Sequence, residues 1–192
     1  MYTKYSAQFC PAGLICLEAV ASDIPDDYLI STPFTCPSGS YCLRASQSVI
    51  GSGLCPIGYF CPANSPEPVK APEGSFTGNL GSVDSTECSP GTFSIRPQSG
   101  ECASCPSGFE CKERGTTVPS VCAVGFYRSA IESNICSACP KGTFSFERSA
   151  KDFLDCLECP AGRICEVEGL KNITETAACS DGKVCGSGTG AK

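Results

Sequence analysis

Apolar residues fall along this chain singly or in pairs, most of them just behind a glycine, with polar stretches between. No window of about 11 residues carries a sustained apolar stripe at helical spacing, and no long apolar run of strand type occurs. What recurs is a turn. Nine Cys-x-x-Gly units start at Cys10, Cys36, Cys55, Cys88, Cys105, Cys122, Cys139, Cys159 and Cys179. Behind the glycine comes an aromatic or aliphatic residue such as Tyr41, Phe60, Phe93, Phe109, Phe126, Phe144 or Ile164. Proline follows the cysteine in six of the nine units, at Pro11, Pro37, Pro56, Pro106, Pro140 and Pro160. It presets φ near about −65°, and the glycine permits positive φ. A tenth, degenerate copy reads APEGSFT, with Ala71 in the leading place and Gly74 keeping the turn.

Self-similarity of this kind is read before any other signal, and it predicts a repeat array. The expected fold is a small disulfide-rich array, mostly coil with short antiparallel β-hairpins, little helix and no single large core. Modules that touch only their neighbours make an elongated rod. Two spacers stand out. Residues 62–87 carry Pro62, Pro66, Pro68 and Pro72 and read as a stiff extended connector holding the degenerate module. Residues 166–178 are the only spacer suited to a short helix.

The 18 cysteines among 192 residues change the picture from weak core to cross-linked scaffold. Cysteine at this density is expected of a secreted disulfide protein, in which cross-links compensate for thin burial. Six modules have a second cysteine six residues on, which suggests the pairs Cys10–Cys16, Cys36–Cys42, Cys55–Cys61, Cys105–Cys111, Cys159–Cys165 and Cys179–Cys185. The other three run to the next free cysteine: Cys88–Cys102, Cys122–Cys136 and Cys139–Cys156. This pairing uses each cysteine once, but spacing alone leaves interlaced schemes such as Cys16 to Cys36 open.

Charge and chemistry narrow the function classes. The net charge of −6 is spread without a basic stripe, which argues against a nucleic-acid partner. No stretch of about 18 apolar residues is present, so no membrane span is expected in this segment. The first ten residues, MYTKYSAQFC, lack a signal-peptide apolar region, and a processed product or an excerpt of a longer secreted chain is the expectation. There is no histidine, hence no Ser-His or Cys-His pair, and no catalytic site is assigned. The steps Cys102/Cys105, Cys136/Cys139 and Cys156/Cys159 have zinc-knuckle spacing, but Cys105, Cys139 and Cys159 each also lead the repeated turn, so no metal is assigned. Asp23, Asp26 and Asp27 lack the spacing of a calcium loop and read as a solvated acidic spacer. Asn172-Ile173-Thr174 is an N-glycosylation sequon, so an N-linked glycan is expected at Asn172, and the spacer Ser and Thr residues offer sites for O-glycans. Asn134-Ile135-Cys136 is a rarer acceptor pattern, discounted because Cys136 is expected to be bonded.

CSPGTFSIRPQSGECASCPSGFEC (88–111) and CSACPKGTFSFERSAKDFLDCLECPAGRIC (136–165) resemble ephrin-receptor-like cysteine-rich repeats, relatives of tumour-necrosis-factor-receptor and EGF-like modules. The resemblance implies an extracellular stack of small disulfide modules, and the long-loop pairs above match the first-loop disulfide of such repeats. It departs from the family at Ala71, at Cys122-Ala-Val-Gly and at the terminal CSDGKVC. The organisation that follows is 1–61, three short-loop modules with an acidic spacer; 62–87, the connector; 88–165, ephrin-receptor-like repeats; and 166–192, a spacer with the sequon, a last module and a Gly-rich tail. Long runs of such units are typical of large protist surface proteins, including mastigonemes. The expected role is therefore a glycosylated subunit of a cell-surface filament or coat, self-associating or joining other coat proteins. The alternative is a receptor or adhesion ectodomain that binds a protein ligand.

Overall fold

The structure, a computed structural model, describes residues 11–15, 34–131, 133–180 and 184–190. Among these are nine antiparallel hairpins of two residues per strand, two single 3-10 turns and no α-helix. The strands are short because only two residues separate each turn glycine from the position six after the leading residue. Those two pair with the two residues just before the next module. Thus Tyr41 pairs with Gly53, Phe93 with Ala103, and Phe126 with Ala138.

Chain contacts divide into two compact units. One comprises Met1–Cys88 with Ser94–Cys102, the other Ser89–Phe93 with Ala103–Lys192. Within each, one pair of backbone hydrogen bonds repeats from module to module. The turn glycine donates its N–H to the residue at the sixth position of the next module, and its carbonyl accepts from the N–H of that module's leading residue. In the first unit Gly13, Gly39, Gly58 and Gly74 donate to Cys42, Cys61, Thr77 and Ser94, at 2.7–3.0 Å. Cys36, Cys55, Ala71 and Cys88 return the bond. In the second unit Gly91, Gly108, Gly125, Gly142 and Gly162 donate to Cys111, Arg128, Ser145, Cys165 and Cys185, and Cys105, Cys122, Cys139, Cys159 and Cys179 return it. Gly58 shows why the residue must be glycine. Its φ is +85°, and an added Cβ would lie 2.5 Å from the carbonyl oxygen of Gln98, two modules on.

The core is largely sulfur. Among the buried residues are Cys36, Cys42, Cys55, Cys61, Cys88, Cys105, Cys111, Cys122, Cys139, Cys159 and Cys165, with few aliphatic side chains beside them. Two small clusters form, Ile15 with Cys36 and Cys42, and Cys159 with Cys165 and Leu170, the latter flanked by Phe144. Large aliphatic residues such as Leu43, Ile50, Leu80 and Ile131 stay exposed. Among the described residues no large core joins the modules.

Two features differ from the sequence reading. Residues 62–87 are not an extended connector. Val69–Lys70 pairs with Tyr59–Phe60, and Ser75–Phe76 pairs with Thr86–Glu87. Pro62 and Pro72 each open a turn, and the Pro72 carbonyl accepts from Ser75 as the sibling prolines do. The spacer 166–178 does hold a 3-10 turn, Ile173–Glu175, but a second one, Phe153–Asp155, lies inside the Cys139–Cys156 loop. It accounts for a sequence separation of 17 there against 14 in Cys88–Cys102 and Cys122–Cys136.

Candidate functional site

Each module offers its leading cysteine two partner positions, and the local sequence selects one. The first is the sixth residue on, used by Cys36–Cys42, Cys55–Cys61, Cys105–Cys111, Cys159–Cys165 and Cys179–Cys185. The second is the residue three before the next leading position, used by Cys88–Cys102, Cys122–Cys136 and Cys139–Cys156. Cα–Cα distances run from 5.6 Å in Cys122–Cys136 to 6.0 Å in Cys105–Cys111, inside the usual disulfide range. Where the sixth residue is Cys42, Cys61, Cys111 or Cys165, the other position holds Ser52, Pro68, Pro119 or Thr176. Cys10 and Cys16 lie outside the described residues, as do Asp23, Asp26 and Asp27.

The three Cys-x-x-Cys steps are divided between disulfides. Cys102, Cys136 and Cys156 close one module, while Cys105, Cys139 and Cys159 open the next. Sulfur held in a disulfide supplies no thiolate for a metal or for nucleophilic attack.

Where the sixth position is not cysteine, it holds Thr77, Ser94, Arg128 or Ser145, all buried. Arg128 was not singled out from the sequence. It is 2% exposed, and its guanidinium is enclosed by backbone carbonyls. Nε donates to Ser133 at 2.7 Å, and Nη1 donates to Cys105, Pro106 and Phe109 at 3.2, 2.9 and 2.8 Å. A buried cation is tolerated because charge-assisted bonds to carbonyls replace its water. The side chain thereby ties the Cys122 module to the turn of the Cys105 module. The signal that could have found it is positional, a charge in a place otherwise given to Cys, Ser or Thr.

Asn172 caps the 3-10 turn Ile173–Glu175. Its Oδ1 accepts from the Thr174 N–H at 2.8 Å and from the Thr174 hydroxyl. Those bonds use the oxygen and leave out the amide nitrogen, the atom an N-glycan takes. Asp152 builds the same turn one module earlier, accepting from Leu154, while Asp155 and Glu175 accept from Lys151 and Lys171. Asn134 is exposed, and Cys136 beside it is bonded to Cys122.

A cavity of about 290 Å³ is lined by residues that include Glu110, Lys112, Glu113, Arg114 and Val118. Among the described residues no group of His, Cys, Asp and Glu could hold a metal ion, and no helix is long and apolar enough to cross a membrane.

Paired cysteines in repeated turns define the class, a disulfide-rich cysteine-repeat protein. Residues 125–175 match the model of the family described as tyrosine-protein kinase ephrin type A/B receptor-like. The matched segment takes in the Cys139–Cys156 and Cys159–Cys165 loops and both 3-10 turns. The chain therefore carries an ephrin-receptor-like cysteine-rich module over just over a quarter of its length. No curated protein matches the chain.

Proposed function

We propose that this chain is an extracellular structural protein, a glycosylated subunit of a cell-surface filament or coat of the mastigoneme kind. The observation that carries the reading is the repeated glycine bond. Every described turn glycine of the Cys-x-x-Gly units gives one N–H and one carbonyl to the following module, so each module presents its neighbour with the same two backbone groups. The pair of bonds repeats with the same sense from each module to the next, and contacts that do not close on themselves propagate into fibres. The ephrin-receptor-like module is a non-catalytic receptor or structural type, and disulfides at this density persist in oxidising surroundings outside the cytosol. The sequon turn at Asn172 supplies the glycan site, and O-glycans on spacer Ser and Thr residues belong to the same reading.

Negative-stain images and a sedimentation series on the oxidised protein test it. Regular filaments, or mass that grows with concentration, are expected. A monomer at every concentration that instead captures a protein partner would overturn the structural role. That outcome favours a receptor or adhesion ectodomain, a reading supported by the family match and by Ile131 and Leu154, 94% and 81% exposed within the matched segment. Glycosidase treatment of secreted protein should remove one N-glycan mass, absent from an Asn172→Gln variant.

A further inference from the structure

Covalent closure fails at one module among those described. The module led by Ala71 has the backbone of its siblings. Gly74 has φ +76° and donates to Ser94 at 2.8 Å, Cys88 donates back at 2.8 Å, and Ser75–Phe76 pairs with Thr86–Glu87. Its leading residue and its two partner positions, however, hold Ala71, Thr77 and Ser85. The Thr77 hydroxyl is also buried with no hydrogen-bond partner among the described residues, a cost absent where that position holds a bonded cysteine. Cys55–Cys61 and Cys88–Cys102 close the modules on either side. Between Cys61 and Cys88 lie 26 residues that no described disulfide crosses, against 12 after Cys42, 10 after Cys111 and 13 after Cys165.

We propose that residues 62–87 are the yielding element of the array. This segment opens locally under load or mild denaturant while its neighbours stay closed, and so lengthens the chain without breaking a covalent bond. A cross-link raises the free energy of opening by restricting the opened state. The module without one opens first, since local opening follows local stability. Fully extended, its 26 residues reach roughly 90 Å. A disulfide-closed module can pay out only the residues outside its loop. The inference stands whichever reading of the function holds.

Hydrogen exchange read by mass spectrometry on the full oxidised chain, with limited trypsin digestion, tests this. Amides in 62–87 should exchange at least tenfold faster than those of the Cys105 and Cys159 modules. The first tryptic cut should fall after the exposed Lys70, giving two pieces that separate without reductant. Closing the module with Ala71→Cys/Thr77→Cys should slow exchange there to the level of its siblings and abolish the early cut. Ala71→Cys/Ser85→Cys, which copies the long-loop closure, is the second variant if the first does not form its bond. Uniform exchange in the parent chain, a first cut at Lys112, Arg114 or Lys171, or unchanged behaviour in a variant whose new disulfide is mapped would each overturn the proposal.

Discussion

At Arg128 the chain buries a cation where five described sibling modules place a bonded cysteine. Its bonds all go to backbone carbonyls, so truncation takes a charged donor from Ser133, Cys105, Pro106 and Phe109, of which the Pro106 carbonyl keeps the Phe109 N–H. Arg128→Met should destabilise the oxidised protein by about 2–4 kcal/mol, the range for losing charged hydrogen bonds in a buried site. Arg128→Lys should recover only part of this, because one ammonium cannot reach Ser133 and the Cys105–Phe109 turn together. Denaturant titration of the three proteins checks it, and a loss in the Met variant below about 0.5 kcal/mol, the size of an ordinary surface change, would show that the cage contributes little. Residue type gave no hint of this role, since an isolated arginine in a polar spacer reads as solvated. The sequon at Asn172 was legible because three consecutive residues define it, whereas its capping geometry depends on a fold that the triplet does not encode.

The turn is the element that the sequence announces. Cys-x-x-Gly, with proline second in six of its nine copies, specifies backbone angles locally, so nine turns could be placed without knowing any contact. The strands were expected only as hairpins, because two residues carry no period. The segment 62–87 was misread for a related reason: with its leading cysteine replaced by Ala71, its prolines were the strongest remaining signal. The two partner positions around each leading residue make a sharper prediction. Ser145 occupies the sixth position of the Cys139 module and is buried, while Cys139 bonds Cys156 instead. In a Ser145→Cys variant the new thiol should compete with Cys156 for Cys139. Loop-closure entropy favours the loop of 6 over that of 17 by roughly fivefold. Thiol labelling and unreduced peptide maps should find Cys156 free in most molecules. If Cys156 stays bonded throughout, the two positions are not equivalent.

For the whole molecule, the eight described disulfides dominate its stability. Each contributes roughly 2–4 kcal/mol, and folded domains retain only about 5–15 in total. A reductant should therefore abolish the thermal transition, and EDTA should leave Tm unchanged. Calorimetry with each additive decides it, and a sharp fall with EDTA alone would mean that metal holds the fold. Cysteine count and spacing made the scaffold legible at this scale. The glycine bonds between modules were not legible, because backbone groups carry no residue-type signature.

Those bonds have a consequence for how such a chain can change over time. The groups exchanged between one turn and the next belong to the main chain, so this pair of bonds can be made by any module that offers the same glycine and the same leading N–H. Residues 139–158 contain one complete disulfide, and a loss of that whole segment would present Gly125 with Cys159 and Cys165 in place of Cys139 and Ser145. As far as these bonds go, the array is a sentence whose words can be dropped or repeated without breaking its grammar, whereas the Arg128 cage and the approach of Gly58 to Gln98 hold particular words in order.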